Sequence, residues 1–220
     1  EVRQGKVRLS RDGRSLDVSG GQFALAGPQG FVAPKPIHPD DIVLLPQHAK
    51  LIGGEWALVR DPKSATSWAL EAGPTTYKPW DHVEDRLSYV TYTFHASADR
   101  EYRLWVRASS LERGDAWMRD QVVVEPVGAK LSRKCDKFGT HPTSAYVFTG
   151  VAASTGYVWL SGHGEAWKVE DAPITIRFNE TGPQALRIFV GHPSVRIDSV
   201  WLSATQKSRP AAKLLPPAER

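Results

Sequence analysis

Three tryptophans stand next to polar partners in turn-rich stretches. Trp80 lies in Lys78-Pro79-Trp80-Asp81-His82, Trp117 follows Asp115, and Trp167 follows His163 and Glu165. A fourth polar loop carries His192. A flat indole stacks on the CH face of a sugar ring, while carboxylates and imidazoles take its hydroxyls by planar hydrogen bonds. That chemistry makes Trp80, Asp81, Asp115, Trp117, His163, Glu165, Trp167 and His192 the candidate ligand-binding residues. The same indoles would equally serve as lids over a sheet edge or as anchors of an interface.

Other chemistries find less support. Gly-x-Ser-x-Gly is absent, and Ser161 has His163 nearby only in sequence, which is not triad geometry. Glu112, Asp115, Asp120 and Glu125 gather around one turn, where solvated charges normally sit, although paired carboxylates can act as acid and base. The expectation is therefore a chain that is not an enzyme. The His-Pro pairs at 38–39, 141–142 and 192–193 punctuate loops and lack the spacing of a zinc site. Cys135 is the single cysteine, so no intrachain disulfide forms; the compartment stays open on that count.

The elements that must position these residues are strands. Tyr102, Leu104 and Val106 alternate with Arg103, Trp105 and Arg107; Ile174, Ile176 and Phe178 alternate with Thr175 and Arg177. Leu186, Ile188 and Val190 alternate with Arg187 and Phe189, and Val200 and Leu202 follow Asp198. A period of two puts one apolar row of each strand against a core. Repeated strands separated by Gly, Pro, Asp and Ser predict an all-β sandwich. Trp105, Trp159 and Trp201 fall inside strands and are expected to pack on a sheet. Tyr89 and Tyr92 have opposite parity, so one faces the core and the other faces out.

Residues 1–33 read as small strands around the hairpin turn Asp12-Gly13. Residues 34–48, with Pro34, Pro36 and Pro39, read as a linker. Residues 49–205 form the main domain, and residues 206–220 a Pro-rich basic tail. The net charge of +4 is spread along the chain as on the wet faces of strands, which argues against a nucleic-acid surface. No apolar run approaches the roughly 18 residues of a spanning helix. The sequence begins at Glu1 without Met or signal peptide, as a processed or truncated piece would.

Several pieces of the main domain carry a resemblance. KLIGGEWALVRD at 50–61, LSYVTYTF and EYRLWVRA within 87–108, GDAWMRDQVVV at 114–124, the Trp-containing loop at 164–167 and PQALRIFVGHPSVRIDSVWL at 183–202 come in that order. In this they resemble a carbohydrate-binding module of the galactose-binding-like class, families six and thirty-five. The resemblance implies a jelly-roll β-sandwich of eight or nine strands. It also implies a structural calcium, with Asp198 as a ligand; where the family has its paired Glu residues this chain has Leu45-Pro46-Gln47. VRQGKVRLSRDGRSLDVSGGQFALAGPQG at 2–30 resembles the C-terminal end of a FecR-type periplasmic domain, which implies a bacterial, extracytoplasmic parent protein.

The expectation is a non-catalytic glycan-binding module of an extracytoplasmic protein at the cell surface, in the periplasm or secreted. Its partner would be a glycan or polysaccharide, with other domains of the parent chain beside it. The alternative is a structural subunit of a surface layer or extracellular filament, self-assembling through its N-terminal strands.

Overall fold

The structure is a computed structural model. It describes residues 6–11, 14–19, 22–23, 26–27, 30–31, 35–36, 41–76, 87–110, 121–131, 145–149, 156–163, 169–170, 174–191 and 193–210. The N-terminal strands are β1 (Lys6–Arg11), β2 (Arg14–Ser19), β3 (Gln22–Phe23), β4 (Ala26–Gly27), β5 (Gly30–Phe31) and β6 (Lys35–Pro36). β1 and β2 form an antiparallel hairpin in which Arg11 pairs with Arg14 across Asp12-Gly13. Arg8 lies opposite Asp17 and grips its carboxylate with two nitrogens, at 2.8 and 3.3 Å. β3 pairs with β6, and β4 with β5.

The strands that follow are β7 (Ile42–Leu44), β8 (Lys50–Ile52), β9 (Trp56–Arg60), β10 (Trp68–Ala72), β11 (Tyr89–Ala96), β12 (Tyr102–Ser110) and β13 (Val122–Pro126). After them come β14 (Lys130–Leu131), β15 (Tyr146–Thr149), β16 (Val158–Trp159), β17 (Ser161–His163), β18 (Val169–Glu170), β19 (Ile174–Arg177), β20 (Gly182–Val190) and β21 (Val195–Ser203). They build two antiparallel sheets. The first runs β14-β19-β12-β21-β10-β9, with β16 beside the second half of β12 and β7 beside the second half of β21. The second runs β18-β17-β15-β13-β20-β11-β8. Among the described residues there is no α-helix, and no helix long and apolar enough to cross a membrane.

The two sheets close on one apolar core, which makes the fold an all-β sandwich. Leu104, Val106, Ile174, Ile176, Val200 and Leu202 of the first sheet meet Val90, Tyr92, Val122, Leu186, Ile188 and Val190 of the second. Each is nearly or fully buried, and each buried aliphatic side chain contributes about 1.5–3 kcal/mol. The alternation in the sequence is therefore the alternation of the core. Phe178 closes the lower end of that core with its edge toward Phe94 and Tyr102, at 5.7 and 6.0 Å.

The sandwich takes in more chain than the composition suggested. The 34–48 stretch, expected as a linker, contains β6 and β7. β7 pairs with β21 in the register Val200 to Leu44, and Leu44 lies in the main core. Among the described residues, sheets of eight and seven strands replace the eight or nine strands anticipated, because several edge pieces are only two or three residues long.

Candidate functional site

Strand register sorts the connections between two ends of the sandwich. In the first sheet, Ser110 at the end of β12 lies opposite Val195 at the start of β21, and Glu71 near the end of β10 lies opposite Arg196. In the second, Val122 at the start of β13 lies opposite Val190 at the end of β20, and Val90 near the start of β11 opposite Ile188. The links β10–β11, β12–β13 and β20–β21 thus leave from one end. They carry Trp80 and Asp81, Asp115 and Trp117, and His192 respectively. His163 ends β17 and pairs with Val169 of β18, and this hairpin points the other way, since Thr149 lies opposite Ser161. The side chains of Trp80, Asp81, Asp115, Trp117, His163, Glu165, Trp167 and His192 lie outside the described residues.

The loop-bearing end rests on tight backbone contacts. Gly191 lies against Gln121 so closely that an added Cβ would stand 2.4 Å from the Gln121 carbonyl oxygen. Two links are thereby held together at their roots. On the outer face of the second sheet at this end, Tyr89 is half-buried and tilts against buried Phe189 at 5.5 Å. The Arg187 guanidinium lies 5.1 Å over the Tyr89 ring and 3.4 Å from Glu125 Oε2. Tyr92 points into the core, as opposite parity requires.

A buried polar network braces the outer face of the first sheet. In β21 the register shifts against β12: Arg107 pairs with Ser199, whereas Ala108 pairs with Ile197. Asp198 is the extra residue of this β-bulge, and a bulge re-aims its side chain. The Asp198 carboxylate, with no exposed surface, accepts hydrogen bonds from Arg107 Nη1, from the Ala65 N–H at 3.0 Å and from Ser199 Oγ at 3.0 Å. Arg107 also lies 5.3 Å over the Tyr157 ring. The Tyr157 hydroxyl donates to Asp61 Oδ2 at 2.9 Å, and Arg196 Nη1 donates to the same oxygen at 3.0 Å. Arg196 Nε reaches Glu71 Oε2 at 2.6 Å, and the Lys63 N–H reaches Asp61 Oδ1 at 2.9 Å.

Burial sets the proton affinities here, and hydrogen bonds oppose or reinforce it. Burial pushes the Asp198 carboxyl up, and Arg107, the Ala65 N–H and Ser199 only partly offset it. Burial also pushes Asp61 up, but the Lys63 N–H, Tyr157 and Arg196 together outweigh it and hold Asp61 below the usual carboxylate range. Burial raises the Tyr157 hydroxyl far above the usual phenol range, with the hydrogen bond to Asp61 second. The network therefore pins residues 61–67 and the Tyr157 segment onto the sheet. Sequence reasoning missed it: Arg107 and Arg196 have the parity of wet-face residues, and nothing in a two-residue period marks an extra residue at Asp198.

These surroundings do not fit calcium at Asp198. A calcium ion takes six to eight oxygen ligands, whereas here a guanidinium meets the carboxylate. Among the described residues no group of three or more His, Cys, Asp or Glu side chains is placed to hold a metal ion.

Three tryptophans expected to pack on a sheet do so, but outside the sandwich core. Trp105, Trp159 and Trp201 form a separate apolar cluster with Val43 on the outer face of the first sheet, with the Trp159 and Trp201 rings 5.8 Å apart. The start of the expected tail packs on them. Trp105 Nε1 donates to the Gln206 carbonyl at 3.4 Å, Arg209 Nε donates to the Trp159 carbonyl at 2.9 Å, and Pro210 is buried.

No family model matches the chain, so neither the carbohydrate-binding module nor the FecR-type resemblance gains support from one. No curated protein matches it. Among solved structures it is similar to the exo-β-1,3-galactanase of Phanerochaete chrysosporium with galactose, at TM-score 0.44 and 7% identity over 78% of this chain and 30% of that one. A variant of that galactanase with β-1,3-galactotriose gives TM-score 0.44 and 8% identity over 78% and 34%. A carbohydrate esterase of the Shiga toxin-encoding bacteriophage phi24B gives TM-score 0.33 and 12% identity over 71% and 89%. The chain spans about a third of the galactanase's length. At these identities and scores no activity, substrate or residue role is transferred. The expectation of a chain that is not an enzyme is corrected: these three solved structures are enzymes by name.

Proposed function

We propose that this β-sandwich binds a glycan through the loops at the end where β10–β11, β12–β13 and β20–β21 are linked. The observation that supports it is the strand register, which starts the β10–β11, β12–β13 and β20–β21 links from one end of the sandwich; Trp80, Asp81, Asp115, Trp117 and His192 fall within those links in sequence. Two indoles with carboxylate and imidazole neighbours supply both halves of sugar recognition, a stacking face and hydroxyl partners. Trp105, Trp159 and Trp201 take no part, because they are buried against one another and Val43. A sugar brings little apolar area and its hydroxyls must be desolvated, so affinity per site is modest. An extracytoplasmic setting, where polysaccharide is met, belongs to the same proposal.

The test is retention on immobilised polysaccharides, β-1,3-galactan among them. The wild-type chain is expected to be retarded on at least one. Trp80→Ala and Trp117→Ala are each expected to weaken retention about tenfold or more while keeping the β circular dichroism, since stacking on one aromatic ring contributes about 1–3 kcal/mol in other ring-stacking sites. Retention unchanged in both variants would exclude this end as the binding surface.

A further inference from the structure

Among the described residues no strand covers one side of the sandwich, and its two edges differ. β8 closes the second sheet; it is three residues long and carries Lys50, two features that discourage strand addition. β9 closes the first sheet with Trp-Ala-Leu-Val-Arg and has neither Lys nor Pro. Leu58 at its centre is 39% exposed although it has core-facing parity, opposite Leu70. The other exposed large apolar side chains among the described residues, Leu51 and Leu87, belong to this same side: Leu51 is in β8, and Leu87 precedes Ser88, whose hydroxyl bonds the β8–β9 turn at Ile52 and Glu55.

The direction of the free backbone groups follows from the ladder. The Gly73 N–H donates to the Glu55 carbonyl, and the Asp61 N–H to the Ser67 carbonyl. In an antiparallel pair hydrogen-bonded positions alternate, so residues 55, 57, 59 and 61 bond toward β10. Trp56, Leu58 and Arg60 then direct their N–H and C=O away from the sheet, along its open edge.

We propose that this edge is where a second copy of the chain docks, β9 antiparallel to the partner's β9 and centred on Leu58. That register is self-complementary. Leu58 meets the partner's Leu58, and Trp56 and Arg60 meet the partner's Arg60 and the partner's Trp56. All three outward residues then exchange backbone hydrogen bonds with outward residues. The two Arg60 positions stand four residues apart, about 13 Å along the strand. That exceeds the Debye length of about 8 Å at physiological ionic strength, so no like charges oppose each other closely. Leu58 keeps its core-facing parity, so the apolar layer continues from one copy into the next, and the pairing is twofold and closed.

Light scattering on the whole chain across a concentration series tests this. The expected mass is twice 24.3 kDa at high concentration, falling to 24.3 kDa on dilution. Leu58→Pro removes the outward N–H together with the leucine side chain, and Leu58→Lys puts a charge at the twofold; each is expected to raise the dimer dissociation constant at least tenfold, about 1.4 kcal/mol, with unchanged β circular dichroism. If the proline variant fails to fold, the lysine variant carries the test. A monomer at the highest soluble concentration overturns the proposal. So does an assembly whose dissociation neither substitution changes, since it must be held elsewhere, the N-terminal strands included.

Discussion

Asp198 owes its place to one extra residue in β21, and its surroundings make it costly to change. The carboxylate is fully buried against Arg107, and Arg107 is nearly as buried. Asp198→Asn leaves a buried guanidinium without a counter-charge, which is expected to destabilise the fold by about 3–5 kcal/mol in urea denaturation at neutral pH. Asp61 predicts a pH dependence. Its carboxyl has a lower pKa in the fold than in the unfolded chain, so the folded state favours its ionised form. That stability is present above the unfolded value of about 3.9 and is lost as pH falls through the lower folded value. Urea midpoints below pH 4 should therefore fall less steeply in Asp61→Asn than in the wild type. At this scale the sequence showed the acidic residue but not its role. Asp198 stood out as an acid on the last strand, whereas Arg107, half a domain away in sequence, looked like any residue on a solvated face.

Between elements, close approach and short strands decide what holds. Gly191 has no room for a side chain beside the Gln121 carbonyl, so Gly191→Ala must move β13 away from the β20–β21 link. The expected cost is about 1–3 kcal/mol in thermal melting, together with weaker glycan retention if the two links shape one surface. Leu44→Ala is expected to cost about 2–5 kcal/mol, because β7 is part of the core and not a linker; a cost near zero would return it to linker status. Long strands such as β12, β20 and β21 were legible, since each has enough residues to show a period of two. β14, β17 and β18 were not, because two or three residues carry no period. β7 was hidden by the prolines around it, and the start of the C-terminal segment by its polar composition. What fixes that segment is Arg209 and Gln206 meeting the Trp105–Trp159–Trp201 cluster, a long-range contact.

For the whole molecule, the sandwich followed from alternation alone, whereas the loop-bearing end required register. Sequence reasoning placed Trp80, Trp117, Trp167 and His192 in loops and could not say which loops share an end. Pairing of Ser110 with Val195 and of Val122 with Val190 shows which strand ends the β10–β11, β12–β13 and β20–β21 links leave from, whereas β17 runs away from that end before it pairs with β18. The central claim is that the shared end binds glycan. The most direct measurement is affinity electrophoresis of the wild type and a Trp80→Ala/Trp117→Ala double variant through gels containing a panel of polysaccharides. Retarded migration of the wild type in at least one gel, with free migration of the folded double variant in the same gel, is expected. Equal retardation of the two proteins, or free migration of the wild type in every gel, would contradict it.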